Sequence, residues 1–339
     1  VNPWSAAKSW LGEMVNASRS SELVDVHAHF LTDEYVAAAI TSGIEHPDGM
    51  PLWPSWSIDK QLAVMHDNRI RHAVLSLSSP GVSCAGQADA PALARHVNDF
   101  AAKTVAGHPE RFSFFASLPL PDVDAAIVEA ARVIDSHAAA GVILMSNHSG
   151  QYLGDAALDP LWECLNQRRS IVFVHPTSPP DADAVSLGRP RPMIEFMFET
   201  TRTITDLIFA GVIDRYPDIR FLIPHCGAAL PLFAARIEQF RSVWPAPNGD
   251  PPGPLRTEDQ LRRFWFDLAG YPMPTQAAVL RDVVGSDRIL YGSDFCWTPE
   301  FGVGKQVAAL DADPSTDWRR VTSENARRAL PHVGGQPQT

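Results

Sequence analysis

Two histidines stand two residues apart, His27 and His29, at the end of a short apolar strand-like run beginning at Leu23. In an extended segment, residues i and i+2 project to the same side. Both imidazoles can then address one ion if the strand ends in a concave site. An isolated H-x-H is a weak signal, because polar histidines are common at surfaces. Its weight grows with later coincidences. His175 closes the apolar run 171–174, His225 follows 220–223, Asp267 ends 264–266, and Asp294 follows 289–292. Several neutral imidazoles with one carboxylate suit Zn²⁺, and also Mn²⁺ or Fe²⁺.

Gathering residues from both ends of the chain requires a fold in which strand ends meet. Eight short apolar runs begin near positions 23, 72, 112, 141, 171, 220, 264 and 289 and alternate with helical patterns. Runs that are continuously apolar indicate a parallel sheet buried on both faces. Eight such units predict a (β/α)8 TIM-like barrel, whose strand C-termini share one rim. The runner-up, a doubly wound open sheet, usually carries a Gly-rich phosphate loop, and none occurs here. Helices are expected over 33–40, 58–68, 91–105, 158–167, 194–215, 230–240, 275–284 and 322–330. A further helix is N-capped by Asp122 and runs to about 139. Residues 1–22 read as an N-terminal extension, and 23–339 as a single barrel domain with loop insertions. The loop 43–57, rich in Gly, Pro and Trp, reads either as a pocket wall or as a surface loop pinned by its own tryptophans. A Pro/Gly loop is expected over 244–254 and a frayed tail over 334–339.

Composition narrows the function classes. The net charge is −11 with no basic block, which argues against nucleic acid. The four cysteines show no C-x-x-C spacing, so free thiols in a reducing, cytoplasmic setting are expected. No apolar stretch approaches a membrane span, so no membrane partner is expected.

Longer motifs extend the pattern: Asp25-Val26-His27-Ala28-His29-Phe30, Phe173-Val174-His175-Pro176, Pro224-His225-Cys226-Gly227-Ala228-Ala229-Leu230-Pro231 and Tyr291-Gly292-Ser293-Asp294-Phe295. Pro109-Glu110-Arg111-Phe112, Leu118-Pro119-Leu120-Pro121 and Glu199-Thr200-Thr201-Arg202 accompany them. With these the chain, from about Val24 to Leu330, resembles the amidohydrolase superfamily. Within it, the chain is similar to the metal-dependent, non-oxidative decarboxylases of aminocarboxymuconate semialdehyde, resorcylate and 6-methylsalicylate. The resemblance implies that His27, His29, His175 and Asp294 hold one divalent ion, zinc first and manganese second. It implies His225, with Asp294 as the other candidate, as the acid/base residue. It also implies a homodimer or higher homo-oligomer. Strand 4 has no lysine near its end, which favours a mononuclear site.

The expected reaction is loss of CO₂ from a small aromatic, salicylate-like acid. The alternative is a hydrolase acting on a ring-derived C–N, C–O or C–C bond, where the ion would lower the pKa of a bound water. A barrel that binds metal without catalysis is a third reading, and the intact ligand set argues against it. Arg236 matches an arginine that reaches a neighbouring subunit's carboxylate in muconate-semialdehyde members. The arginine those members carry after strand 1 is missing from Pro51-Leu52-Trp53-Pro54-Ser55-Trp56. Ala228 stands where resorcylate members have a glutamate. These departures favour an aromatic acid, with Trp53, Asn147, His148, Phe198 and Trp297 as candidate pocket residues, and the overall loop pattern most resembles the 6-methylsalicylate decarboxylase-like group.

Overall fold

Both faces of every long strand carry apolar residues because both faces are covered. In the computed structural model, which describes residues 21–136, 138–244 and 255–331, eight strands form one sheet. They are β1 (Leu23–His29), β2 (Ile70–Ser76), β3 (Phe112–Ser117), β4 (Gly141–Met145), β5 (Ile171–His175), β6 (Arg220–Ile223), β7 (Trp265–Asp267) and β8 (Ile289–Leu290). They pair side by side in chain order, all parallel. The sheet closes on itself: Val26 N donates to Tyr291 O at 2.9 Å and Asp294 N donates to His27 O at 2.8 Å. Bridges Asp25–Tyr291 and Ala28–Phe295 complete the seam. The barrel read from the eight apolar runs is the observed architecture, with strand starts within two residues of those expected.

Alternate side chains of β5 show how the layers are filled. Ile171 and Phe173 point into the barrel beside Val26, Phe115 and Leu222. Val172 and Val174 point outward into the helical layer. Full burial of a side chain such as Phe173 stabilises by roughly 1.5–3 kcal/mol. At the N-terminal end, Ala326, Ala329 and Leu330 of the last helix and its end join this inner cluster. Asn325 Nδ2 pins that helix by donating to Ser286 O and Ile289 O at 2.7 Å.

Strict alternation along β1 would put His27 and His29 on the face opposite Val24 and Val26. The pairing with β2 shifts between Asp25 and Ala28: Asp25 faces Ala73, while Ala28 faces Leu75. One extra residue on β1 turns the chain over, so Val24 and Val26 fill the barrel and His27 and His29 also point inward. This is the usual work of a β-bulge next to a site.

Three expectations are corrected. The pattern over 194–215 forms two helices, Glu195–Phe209 and Val212–Arg215, because Gly211 adopts φ +70° between them. The helix after Asp122 ends at Asp135 rather than near 139, although Asp122 caps it by accepting from Ala125 N at 3.0 Å. A small hairpin, Asn147–His148 with Gln151–Tyr152, follows β4 where no strand was expected. Residues 1–20 of the expected extension, most of the 244–254 loop and the 334–339 tail lie outside the described residues. Among the described residues no helix is long and apolar enough to cross a membrane. The four cysteines are free.

Candidate active site

Three imidazoles and one carboxylate converge at the C-terminal rim. One ligand atom from each of His27, His29, His175 and Asp294 lies within 4.8 Å of the others. His27 Nε2 is 3.0 Å from His29 Nε2. Asp294 Oδ1 is 3.5 Å from His27 Nε2 and 3.2 Å from His29 Nε2.

The Nδ1 atoms explain why the Nε2 atoms face one another. His27 Nδ1 donates to Asp267 Oδ2 at 2.9 Å. His29 Nδ1 lies 3.2 Å from Ser76 O, and His175 Nδ1 2.7 Å from Pro176 O. With each Nδ1 proton directed at an acceptor, the neutral rings offer Nε2 lone pairs to a common point. Lone pairs brought this close, beside a carboxylate, need a cation between them. The donor set therefore fits a divalent ion held by His27, His29, His175 and Asp294.

The electrostatics agree for His29, His175 and Asp294, while His27 is the exception. Burial, followed by the neighbouring imidazoles, holds His175 well below the ordinary histidine value. Burial also lowers His29. For His27 burial pulls downward, but the charge and hydrogen bond of Asp267 outweigh it and leave the imidazole raised. Burial alone would raise Asp294, yet the hydrogen bond from His225 and the charge of His27 hold it well below the carboxylate range. Neutral imidazoles and an ionised carboxylate are what metal binding requires.

Gly292 is needed by close approach. A Cβ at this position would lie 2.8 Å from His27 Cβ and 3.0 Å from Asp267 Cγ. Asp267, which the sequence placed on the rim among possible ligands, sits behind His27. Its Oδ1 accepts from His225 N and Ala269 N, both at 3.0 Å. One carboxylate thus positions both a metal ligand and the residue expected to move the proton.

His225 differs from the three ligand imidazoles. Its Nε2 is 3.6 Å from Asp294 Oδ2, and its buried Nδ1 has no hydrogen-bond partner among the described residues. No described group holds its Nδ1, and Nε2 is the ring atom that faces Asp294 and the cavity. It heads a run of left-handed backbone, with φ of 52° at His225, 59° at Cys226 and 54° at Ala228. Such strain concentrates at functional sites.

Above the ligands lies a cavity of about 270 Å³. His175, His225, Asp294 and Trp297 line it, with Phe196, Met193 and Met197 forming an apolar wall. Of the expected pocket residues, Trp297 alone is in this lining. Trp53 stands behind it, its ring 5.9 Å from that of Trp297 and its Nε1 donating to Ile44 O. Asn147 is tied up elsewhere: its Nδ2 donates to Glu199 Oε2 at 2.8 Å and Ser178 O at 3.1 Å, while its Oδ1 accepts from Gly150 N. Glu199, fully buried, also accepts from Ser146 and Tyr152, so this network supports the wall from behind. His148 is buried but is not part of the lining, and Phe198 is exposed while its neighbour Phe196 takes the wall position. Arg236 lies on the exposed face of helix Leu230–Arg241, its guanidinium 5.1 Å from the Phe240 ring centre. Sequence reasoning missed Asp48, a lining residue. Pro47-Asp48-Gly49 reads as a surface turn, and nothing in the sequence marks it as facing the cavity.

A closed eight-stranded barrel whose rim carries three imidazoles and a carboxylate defines a metal-dependent (β/α)8 enzyme. Residues 24–331 match the family Amidohydro_2, amidohydrolase. The chain belongs to the amidohydrolase family, in its decarboxylase branch. It is 38% identical to decarboxylase yanB of Aspergillus niger over 303 residues, 85% of this chain and 81% of that protein. It is 30% identical to the 6-methylsalicylic acid decarboxylase of Penicillium expansum over 92% of this chain and 97% of that one. Among solved structures, an amidohydrolase II superposes with a TM-score of 0.84 at 30% identity, over 91% of this chain and all of that one. A 5-carboxyvanillate decarboxylase from Novosphingobium aromaticivorans, solved with manganese, shares the fold at TM-score 0.82 and 22% identity, over 92% of this chain and 96% of that one.

Proposed function

We propose that this decarboxylase removes CO₂ from a small salicylate-like acid, using one ion of zinc or manganese. The carrying observation is the meeting of three Nε2 atoms and Asp294 beside a largely apolar cavity that also contains His225. A bound divalent ion supplies a template and Lewis acid for the ortho hydroxyl and carboxylate of such an acid. His225 Nε2 delivers a proton to the ring carbon that bears the carboxylate. The bond between that carbon and the carboxylate then breaks, its electron pair returns to the ring, and CO₂ leaves. Asp294 Oδ2, 3.6 Å from that nitrogen, faces the charge His225 carries while protonated. A ring seated against the apolar wall displaces water from around the reacting carbon, which favours this route over hydrolysis.

The ligand chemistry supports zinc first, and the manganese in the solved 5-carboxyvanillate decarboxylase supports the second choice. A homodimer is supported by the exposed stripe Leu232, Phe233, Phe240, Val243 and Trp244 on and just after helix Leu230–Arg241. Arg236 is on the same stripe and outside its own chain's cavity lining, which supports a contact with a neighbouring protomer. Four free thiols support a reducing, cytoplasmic setting.

The test is CO₂ release from a panel of salicylates by protein reconstituted separately with zinc and manganese. Release from at least one acid, dependent on metal, is expected. No release from any salicylate, with hydrolysis of a ring amide or lactone instead, would overturn the reading. Light scattering reads the oligomeric state.

A further inference from the structure

One carboxyl in the cavity is outside the ligand set. Asp48 lines the same space as His175, His225 and Asp294 but is not among the clustered ligand atoms. It is the middle residue of the turn Pro47–Gly49, at φ 51°, a left-handed conformation that aspartate and asparagine tolerate better than most side chains. The turn is braced from two sides. Ser178 Oγ donates to Asp48 Oδ1 at 2.6 Å. The Arg191 side chain packs against Gly49 so closely that a Cβ there would lie 2.6 Å from Nη1. Arg191 Nη2 is itself bonded to Asp183.

This bracing fixes the carboxyl without exhausting it. A carboxylate has about four lone-pair sites; the Ser178 side chain and backbone and the Ser79 side chain engage up to three, which leaves one for a ligand. The surrounding wall is mostly apolar, with Met50, Met193, Phe196, Met197 and Trp297, and Ser78, Gln276 and Thr298 are its uncharged polar members. In a pocket of this kind a few placed polar groups decide which ligand fits and how it lies. A ligand that fills the cavity displaces water from Asp48 and must either replace its hydrogen bonds or leave the carboxyl unpaired.

We infer that Asp48 is a specificity-determining residue that accepts a hydrogen bond from a ring hydroxyl of the substrate, selecting salicylates with a second hydroxyl over those with only alkyl substituents. The inference rests on the salicylate reading of the site and departs from the 6-methylsalicylate-like substrate expected from the sequence. A methyl group against Asp48 strands a desolvated carboxyl, which weakens binding. A second carboxylate on the ring meets like charge. Burial pushes the Asp48 carboxyl above its ordinary range, against the pull of the Ser178 and Ser79 hydrogen bonds.

Probes that chelate but do not react separate this inference from the reaction itself. 2-Nitrophenols present a nitro oxygen and a phenolate to the ion and have no carboxylate to lose. Metal-loaded protein is titrated with 2-nitrophenols bearing one hydroxyl or one methyl at each free ring position. At one position the hydroxyl probe is expected to bind at least about tenfold tighter than its methyl counterpart. Asp48→Ala should abolish that ratio at equal metal content. Asp48→Asn, well suited to φ 51° and keeping an amide oxygen, should give an intermediate ratio and serves if the alanine variant does not fold. Equal binding of the two probes by the unaltered protein, or an unchanged ratio in the variants, would overturn the inference. CO₂ release from the matching acids is read in parallel. Discrimination by the probes without CO₂ release would sink the decarboxylase substrate reading and leave the role of Asp48 standing. CO₂ release with the same hydroxyl-to-methyl ratio of kcat/KM in Asp48→Ala as in the unaltered protein would do the reverse.

Discussion

His27 Nδ1 donates to Asp267 Oδ2 at 2.9 Å, with both side chains fully buried. The bond fixes the tautomer, so His27 presents a lone pair from Nε2 to the site. Asp267→Asn keeps the shape and removes the charge. Metal affinity is expected to fall roughly 10- to 100-fold, as for other carboxylates behind a ligand histidine. Competition against a chromophoric chelator measures it, and unchanged affinity would remove Asp267 from this role.

The ligand and proton-transfer roles separate by mutation. His175→Ala deletes one of four ligands, and metal per chain should drop with activity. His225→Ala should retain metal and lose turnover by roughly 10²- to 10⁴-fold, the usual range for a general acid or base. Metal content is read by elemental analysis and turnover by CO₂ release. Full activity in His225→Ala would show that the proton comes from elsewhere.

Gly292→Ala inserts a methyl 2.8 Å from His27 Cβ and 3.0 Å from Asp267 Cγ. Neither neighbour is the free end of a flexible chain, so the pair must shift. Weaker metal binding is expected along with a stability loss of about 1–3 kcal/mol from overpacking. Chelator competition and urea unfolding read the two effects. A variant equal to the parent in both would mean that the seam between β1 and β8 yields more easily than these distances allow.

Acid stability should carry the mark of a histidine far from the metal. Burial lowers His72 from 6.5 to about 4, while its Nε2 stays 3.0 Å from Ser113 Oγ. Above pH 6.5 the ring is neutral in both folded and unfolded chains, and its contribution does not change. As pH falls from 6.5 toward 4, the unfolded chain takes up a proton that the folded one refuses, so stability declines. Below about 4 the decline from this residue levels off. His72→Gln should flatten the slope by up to about 1.4 kcal/mol per pH unit inside that window. Urea unfolding across it provides the check, and an unaltered slope would mean that another group carries the decline.

The barrel and the candidate ligands were legible because their signals are local. A parallel strand covered on both faces must be apolar along its length, and a histidine closing such a run is placed by the strand itself. His175 follows Ile171 and Phe173 at steps of two, so inward-facing apolar residues lead directly to the ligand. The wall was less legible. Trp53 and Asn147 had suitable chemistry, but whether a side chain faces a cavity depends on competing partners. Ile44 O and Glu199 hold them away from it. Asp48 had the opposite fate, since a turn that looks solvent-facing is folded under by Ser178 and Arg191.

The sequence by itself determined the strand count and the barrel, and it set six candidate ligands at strand ends, from which the family resemblance picked His27, His29, His175 and Asp294. The strand count and the candidates follow from periodicity and from residue types that repeat at strand ends. Only the tertiary structure decided that Asp267 stands behind His27 rather than among the ligands, that a bulge in β1 turns His27 and His29 inward, and which residues line the cavity. Those outcomes depend on strand register and on contacts between residues distant in the chain. No local pattern encodes them, because a one-residue shift in pairing reverses the face of every side chain beyond it.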